Sequence, residues 1–160
     1  MNLKKRSWKS ILYGVLLTEA VGGLAALLTQ EGTKLYGVTV RQPPLSPPAA
    51  VFPIVWTILY ALMGVGAGRV RQLPPSRERT TALRLFAFQL GVNFFWSIWF
   101  FNLQAFALAF FWLVLLCALV VRMILSFREL DAAAAWLQLP YLLWIFFAGY
   151  LNYGVWMLNR

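Results

Sequence analysis

Apolar residues recur along this chain in runs of about 20, the length at which a helix crosses the hydrocarbon core of a bilayer. The first run covers residues 10–28, preceded by Lys4, Lys5, Arg6 and Lys9 and followed by polar residues from Gln30 to Lys34. Further runs cover 49–68, 83–103, 105–125 and 132–158, with Asn102 and Gln104 marking a tight turn between the third and the fourth. The pattern predicts an all-α integral membrane bundle of five transmembrane helices, a single domain over residues 1–160. A cleaved signal peptide would share the basic start, and Gly22-Gly23-Leu24-Ala25-Ala26 loosely resembles a cleavage site. Its apolar core would be shorter, so a retained helix is the expectation.

Proline placement punctuates the runs. Residues 35–48 are predicted as the longest irregular connection, ending in Pro43-Pro44-Leu45-Ser46-Pro47-Pro48, where fixed φ and missing N–H donors forbid ordinary helix. Pro53 falls in the first turns of the second run, where proline is tolerated. Pro74-Pro75 interrupts the connection to the third, and Pro140 inside the fifth is expected to kink it.

Composition sharpens the class. The chain is 61% hydrophobic and 12% charged, against roughly 25% charged for a soluble domain. Its formal charge of +9 could suggest nucleic acid, but the cations cluster at the ends of apolar runs, so no nucleic-acid partner is expected and membrane lipid is. With five spans, 11 of the 14 basic residues fall on one side, leaving Lys34, Arg41 and Arg160 on the other. The positive-inside rule then puts the N-terminus in the cytoplasm, and the expected location is a bacterial cell membrane. Histidine is absent and Cys117 is the single cysteine. That inventory excludes an internal disulfide, a His-ligated metal and a serine–histidine triad, so no conventional catalytic constellation, metal site or required cofactor is expected.

Eight tryptophans and a 17% aromatic content fit interfacial belts, yet several lie deep and pair at helical spacing: Trp56 with Tyr60, Trp96 with Phe100, Trp144 with Ala148. A pocket so lined offers flat π faces and a few polar anchors, which suits a large, flat, mostly apolar ligand. Polar groups inside the runs, namely Glu19, Asn93, Ser97 and Asn152, must find a partner helix or a ligand. Gly64 and Gly68, and Ala87 with Gly91, allow close helix approach, either inside the bundle or between copies.

Four separated blocks resemble the tryptophan-rich sensory protein and translocator protein family, TspO/MBR. They are Leu45-Ser46-Pro47-Pro48, the stretch from Val51-Phe52-Pro53 through Trp56 and Tyr60 to Gly64, Asn93-Phe94-Phe95-Trp96 with Phe100-Phe101, and Pro140-Tyr141-Leu142-Leu143-Trp144 with Leu151-Asn152-Tyr153. The resemblance covers residues 36–159. It implies a five-helix bundle, commonly a homodimer, with an aromatic pocket beneath the first loop that binds porphyrins and, in animal relatives, cholesterol and synthetic ligands. Carried over by motif, the pocket residues are Trp56, Tyr60, Asn93, Trp96, Ser97, Phe100, Trp144 and Ala148, joined by Tyr36 from the loop. Two family tryptophans are missing, because the first loop reads Leu35-Tyr36 and Gln42-Pro43-Pro44-Leu45. Six residues separate Tyr153 from Arg160, one too many for the family's sterol pattern, and sterol binding is not expected.

The resulting expectation is a membrane protein that senses or regulates through a bound porphyrin such as protoporphyrin, stacked on Trp56, Trp96 and Trp144. Lacking histidine, it should accept a metal-free porphyrin at least as well as haem. The alternatives are light-dependent porphyrin degradation with Trp56 or Trp144 oxidised in the process, transport along a path lined by Glu19 and the asparagines, and a purely structural partner.

Overall fold

The computed structural model describes residues 8–160. Lys4, Lys5 and Arg6, which carry part of the charge bias, lie outside the described residues. The chain forms α1 (Trp8–Leu28), α2 (Gln30–Thr39), α3 (Val51–Arg71), α4 (Arg77–Ser97), a π-helical stretch Ile98–Asn102, α5 (Phe106–Leu130), α6 (Ala132–Trp136) and α7 (Leu139–Leu158). Among the described residues four segments are long and apolar enough to cross a membrane: α1, α3, α5, and α6 with α7 taken together. The third predicted run falls short of that mark by composition, because α4 opens with Arg77, Glu78 and Arg79 and carries Arg84, Gln89 and Asn93 further on. Its start is fixed by Ser76, whose Oγ accepts from the Arg79 N–H at 3.0 Å, an N-cap that satisfies one orphan donor of the first turn.

Two predicted connections differ from what forms. Residues 35–39 are helical rather than irregular, since α2 runs through Thr39. Nothing before Pro43 forbids helix, and the turn is supported locally by Lys34 Nζ on Glu31 Oε1 at 2.7 Å and by Thr33 and Thr39 hydroxyls donating to the carbonyls four residues back. The helix is ten residues long and mostly polar, with only Leu35, Tyr36 and Val38 as large apolar side chains, too few for hydrophobic periodicity to reveal it. Pro140 does not kink a continuous helix. The helix breaks at Leu137-Gln138, and Pro140 lies in the first turn of α7, where its missing N–H leaves no intrahelical bond unmade. Asp131 starts α6 by accepting from the Ala133 and Ala134 N–H groups, and it also takes Arg69 Nη2 at 2.9 Å. That pair ties the end of α3 to the α5–α6 junction.

The i, i+4 stripe along α3 reads Phe52, Trp56, Tyr60, Gly64, Gly68, and its size gradient sets the shape of the bundle. At the glycine end α1 meets α3 backbone to backbone. A Cβ on Gly64 would lie 2.5 Å from Val15 Cα, one on Gly68 2.6 Å from Ile11 Cα, and one on Gly14 would strike the Gly64 carbonyl. Ser10 Oγ donates to the Gly68 carbonyl at 3.2 Å and Thr18 Oγ1 to the Tyr60 carbonyl at 2.7 Å. The glycine pair therefore serves packing within the chain. Toward the other end Gly22 accommodates the Tyr60 ring, and beyond it the helices are held apart by aromatic side chains.

Candidate functional site

Where α1 and α3 diverge, a cavity opens in two neighbouring lobes. The lobe toward α7, about 160 Å³, is lined by Tyr36, Gln42, Pro47, Phe52, Trp56, Trp96, Phe100, Phe101, Trp144, Ala148, Leu151 and Asn152 among others. The lobe toward α1, about 400 Å³, is lined by Gly22, Ala25, Ala26, Thr29, Gln30, Thr33, Lys34, Trp56, Tyr60, Asn93, Trp96 and Ser97 among others. Phe52, Pro53, Trp56, Trp96 and Phe101 belong to both. A site of roughly 300–1,000 Å³ with apolar walls and few polar groups is the usual form of a small-molecule pocket.

All nine residues singled out by motif line one lobe or the other: Tyr36, Phe100, Trp144 and Ala148 the α7 lobe, Tyr60, Asn93 and Ser97 the α1 lobe, and Trp56 and Trp96 both. The tryptophans are not equivalent. Trp96 stacks on Phe100, centroids 5.1 Å apart and planes at 22°, and spends its indole N–H on Asn152 Oδ1 at 3.2 Å. Trp56 and Trp144 meet edge to face at 6.5 Å and 86°, and neither indole N–H has a hydrogen-bond partner among the described residues. Those two donors remain available to a guest, while Trp96 is a wall already committed to the bundle.

A lid covers the α7 lobe. Tyr36 on α2 rests on Phe100 and Phe101, with centroids 5.3 and 5.5 Å away, and burial pushes its phenol up to about 12. Asn102 Nδ2 donates to the Leu28 carbonyl at 2.9 Å, and Gly32 sits so close to the Phe101 carbonyl that a Cβ would lie 2.6 Å from it. The following loop is strapped to α7: the Arg41 N–H donates to Asn159 Oδ1, Asn159 Nδ2 donates to the Arg41 carbonyl, Tyr150 OH donates to the Pro44 carbonyl, and Pro43 fills the space that Gly154 leaves. Leu45 takes a left-handed backbone, φ 66°, in this loop.

Beneath the cavity runs a buried polar chain. Tyr60 OH donates to Asn93 Oδ1 at 3.1 Å, Asn93 Nδ2 to Tyr141 OH at 2.6 Å, and Tyr141 OH to Gln89 Oε1 at 3.0 Å. Asn93 is thus satisfied by its neighbours across helices, and so is Asn152, which accepts from Trp96 and donates to the Phe106 carbonyl at 2.9 Å. Sequence reasoning missed Gln89 and Tyr141. The signal for Gln89 is its place one turn before Asn93 on the same face, and that for Tyr141 is its place one turn before Trp144 in the Pro140–Trp144 stretch. Glu19 lines neither lobe. It is half-buried on α1 and has no hydrogen bond or ion pair among the described residues, the cross-helix bond at that level being made by Thr18. Glu31 and Lys34 were not among the residues singled out, because a polar stretch after an apolar run carries no pattern that would set it over a cavity.

Comparison with known proteins agrees with this architecture. Residues 14–157 match the TspO/MBR family. The chain is 36% identical to the tryptophan-rich protein TspO of Chlorobaculum tepidum over 88% of its own length and 89% of the relative's. It is 35% identical to protein CrtK of Rhodobacter capsulatus over 76% of each chain. It is 33% identical to the translocator protein of Bos taurus over 92% of its length and 89% of the relative's. Family, helical architecture and the four apolar membrane segments point one way: this chain is an integral membrane protein belonging to the TspO/MBR family.

Proposed function

We propose that the protein binds a porphyrin in the two-lobed cavity and acts as a membrane-embedded sensor or regulator of tetrapyrrole level. The observation that carries this reading is the pair of indoles, Trp56 and Trp144, set edge to face in the cavity wall, with neither N–H bonded among the described residues. A planar macrocycle could stack on one ring and meet the edge of the other. The names of relatives such as the tryptophan-rich sensory protein of Cereibacter sphaeroides accord with a sensing role. The test is a tryptophan-fluorescence titration of detergent-purified protein with protoporphyrin, corrected for inner-filter absorption. Saturable micromolar quenching that weakens in Trp56→Phe and Trp144→Phe is expected; non-saturable quenching indifferent to both would overturn the reading.

In this proposal α4 and the π-helical stretch form a fifth crossing. At 1.5 Å per residue, residues 77–102 reach about 39 Å, more than a bilayer core of roughly 30 Å, and Phe88 and Phe95 face outward from it. Five crossings put the arginine-rich connections on the cytoplasmic side of a bacterial cell membrane together with the N-terminus. A homodimer fits the outer face of α4, where nothing lies within 4 Å of a Cβ placed on Gly91 and Ala87 is exposed.

A second reading, light- and oxygen-dependent breakdown of the bound porphyrin, draws on the same two indoles as oxidisable neighbours of the ligand. Product formation by purified protein under illumination, lost in Trp144→Phe while binding persists, would establish it. Transport through Glu19 finds less support, since that carboxyl lies outside both lobes.

A further inference from the structure

Both lobes of the cavity are mainly apolar, and among the described residues lining them a single side chain carries charge: Lys34, at the rim of the α1 lobe. It projects from α2 beside the exposed Ala26, Gln30 and Thr33, so the lobe reaches the surface at a cation. Among the described residues its one partner is Glu31, with Nζ 2.7 Å from Oε1, and the two side chains keep 65% and 81% of their exposure. An ammonium has three donors and no acceptor, so two N–H bonds remain unspent after Glu31 takes one. Glu31 answers to the same contact: the Lys34 hydrogen bond holds its carboxyl below the usual carboxylate range.

We infer that the cavity selects an anionic amphipath, a flat apolar body whose carboxylate lies at the rim on Lys34 Nζ, with Glu31 as the internal competitor for that ammonium. The inference rests on the tetrapyrrole reading and adds the chemistry of the ligand's polar edge. Two consequences of opposite sign follow. Removing the cation weakens binding of the acid, and removing the competing carboxylate strengthens it. A purely structural role for the Glu31–Lys34 pair in α2 would move both variants in the same direction.

The experiment compares protoporphyrin as the free diacid with its dimethyl ester, which has the same macrocycle and no charge, on the full chain in a non-ionic detergent. The wild type should prefer the diacid by about two- to five-fold, the size of a solvent-exposed ion pair, and raising the salt should erase that preference. Lys34→Gln should bind diacid and ester alike while keeping the wild-type affinity for the ester, which shows that the cavity is intact. Lys34→Arg should retain the preference, and Glu31→Gln should enlarge it. Equal binding of the two ligands by wild type, with Trp144→Phe still weakening both, would overturn this inference and leave the tetrapyrrole reading standing. Binding of neither would overturn both.

Discussion

Two ends of one stripe on α3 teach how this bundle makes room for a guest. At Gly64 and Gly68 the stripe has no side chains, α1 lies against the α3 backbone, and the contact is closed. At Trp56 and Phe52, about two to four turns away, the same face carries the largest side chains, and α1 and α3 are wedged apart around a cavity. The cavity is therefore a product of the size gradient along one helix, and it needs the glycine end as its hinge of close contact. The closed end tolerates no added atoms. The open end tolerates substitution but loses recognition.

The comparison breaks most severely at the seam. Gly64→Val drives two methyls into the α1 backbone, and over-packing of this kind costs about 1–3 kcal/mol; because backbone rather than a flexible side chain must yield, the upper end is expected, read as a fall in thermal midpoint in detergent. Tyr141→Phe should come next. It strands the Asn93 amide and the Gln89 oxygen in the core, a loss of about 1–3 kcal/mol, measured by the same melt, with ligand affinity falling only in proportion to the unfolded fraction. At the open end Trp144→Phe should leave the melt within error and weaken protoporphyrin roughly two- to ten-fold, the worth of an aromatic contact of about 0.5–1.5 kcal/mol. Asn159→Ala unfastens the loop from α7 and should cost no more than about 1 kcal/mol, with faster ligand release in stopped-flow quenching as its clearer signature. Gly23→Ala sharpens the contrast from below. Nothing lies within 4 Å of its Cβ, so the change should be neutral or slightly stabilising, up to about 1 kcal/mol from helix propensity, although the adjacent Gly22 has the Tyr60 ring where a Cβ would go.

Much of this division was legible in the chain. Apolar runs mark the helices, because hydrocarbon leaves a backbone few other ways to satisfy itself. The i, i+4 pairs Trp56/Tyr60 and Trp96/Phe100 place aromatics on one face, and the structure gathers them around one cavity. Other features depend on partners that spacing does not name. Gly64-x-x-x-Gly68 is equally compatible with a second copy and with α1, and only the fold decides for α1. Helix α2 is ten residues long with only Leu35, Tyr36 and Val38 as large apolar side chains, and it is held by Tyr36 on Phe100 and Phe101, a tertiary contact that periodicity does not announce. Pro140 marks a discontinuity, but whether it bends a helix or begins one turns on Gln138, whose Nε2 donates to the Ala134 carbonyl at 3.2 Å across the break. Glu19 stands out as an ionisable group inside an apolar run, but its depth in the run does not fix which way it faces, and it lines neither lobe.

The central claim is that Trp56 and Trp144 face the ligand while the remaining tryptophans serve the bundle or its surface. The most direct measurement is ¹⁹F NMR of protein labelled with 5-fluorotryptophan, in which eight signals, one for each tryptophan, are assigned by single Trp→Phe variants and followed during addition of protoporphyrin. The account predicts saturable shifts concentrated at Trp56 and Trp144, a smaller response at Trp96, and none at Trp136, which is 70% exposed on the outer surface. Shifts led by Trp8 and Trp136, or spread evenly over all eight, would place the porphyrin on the detergent-facing surface and contradict it.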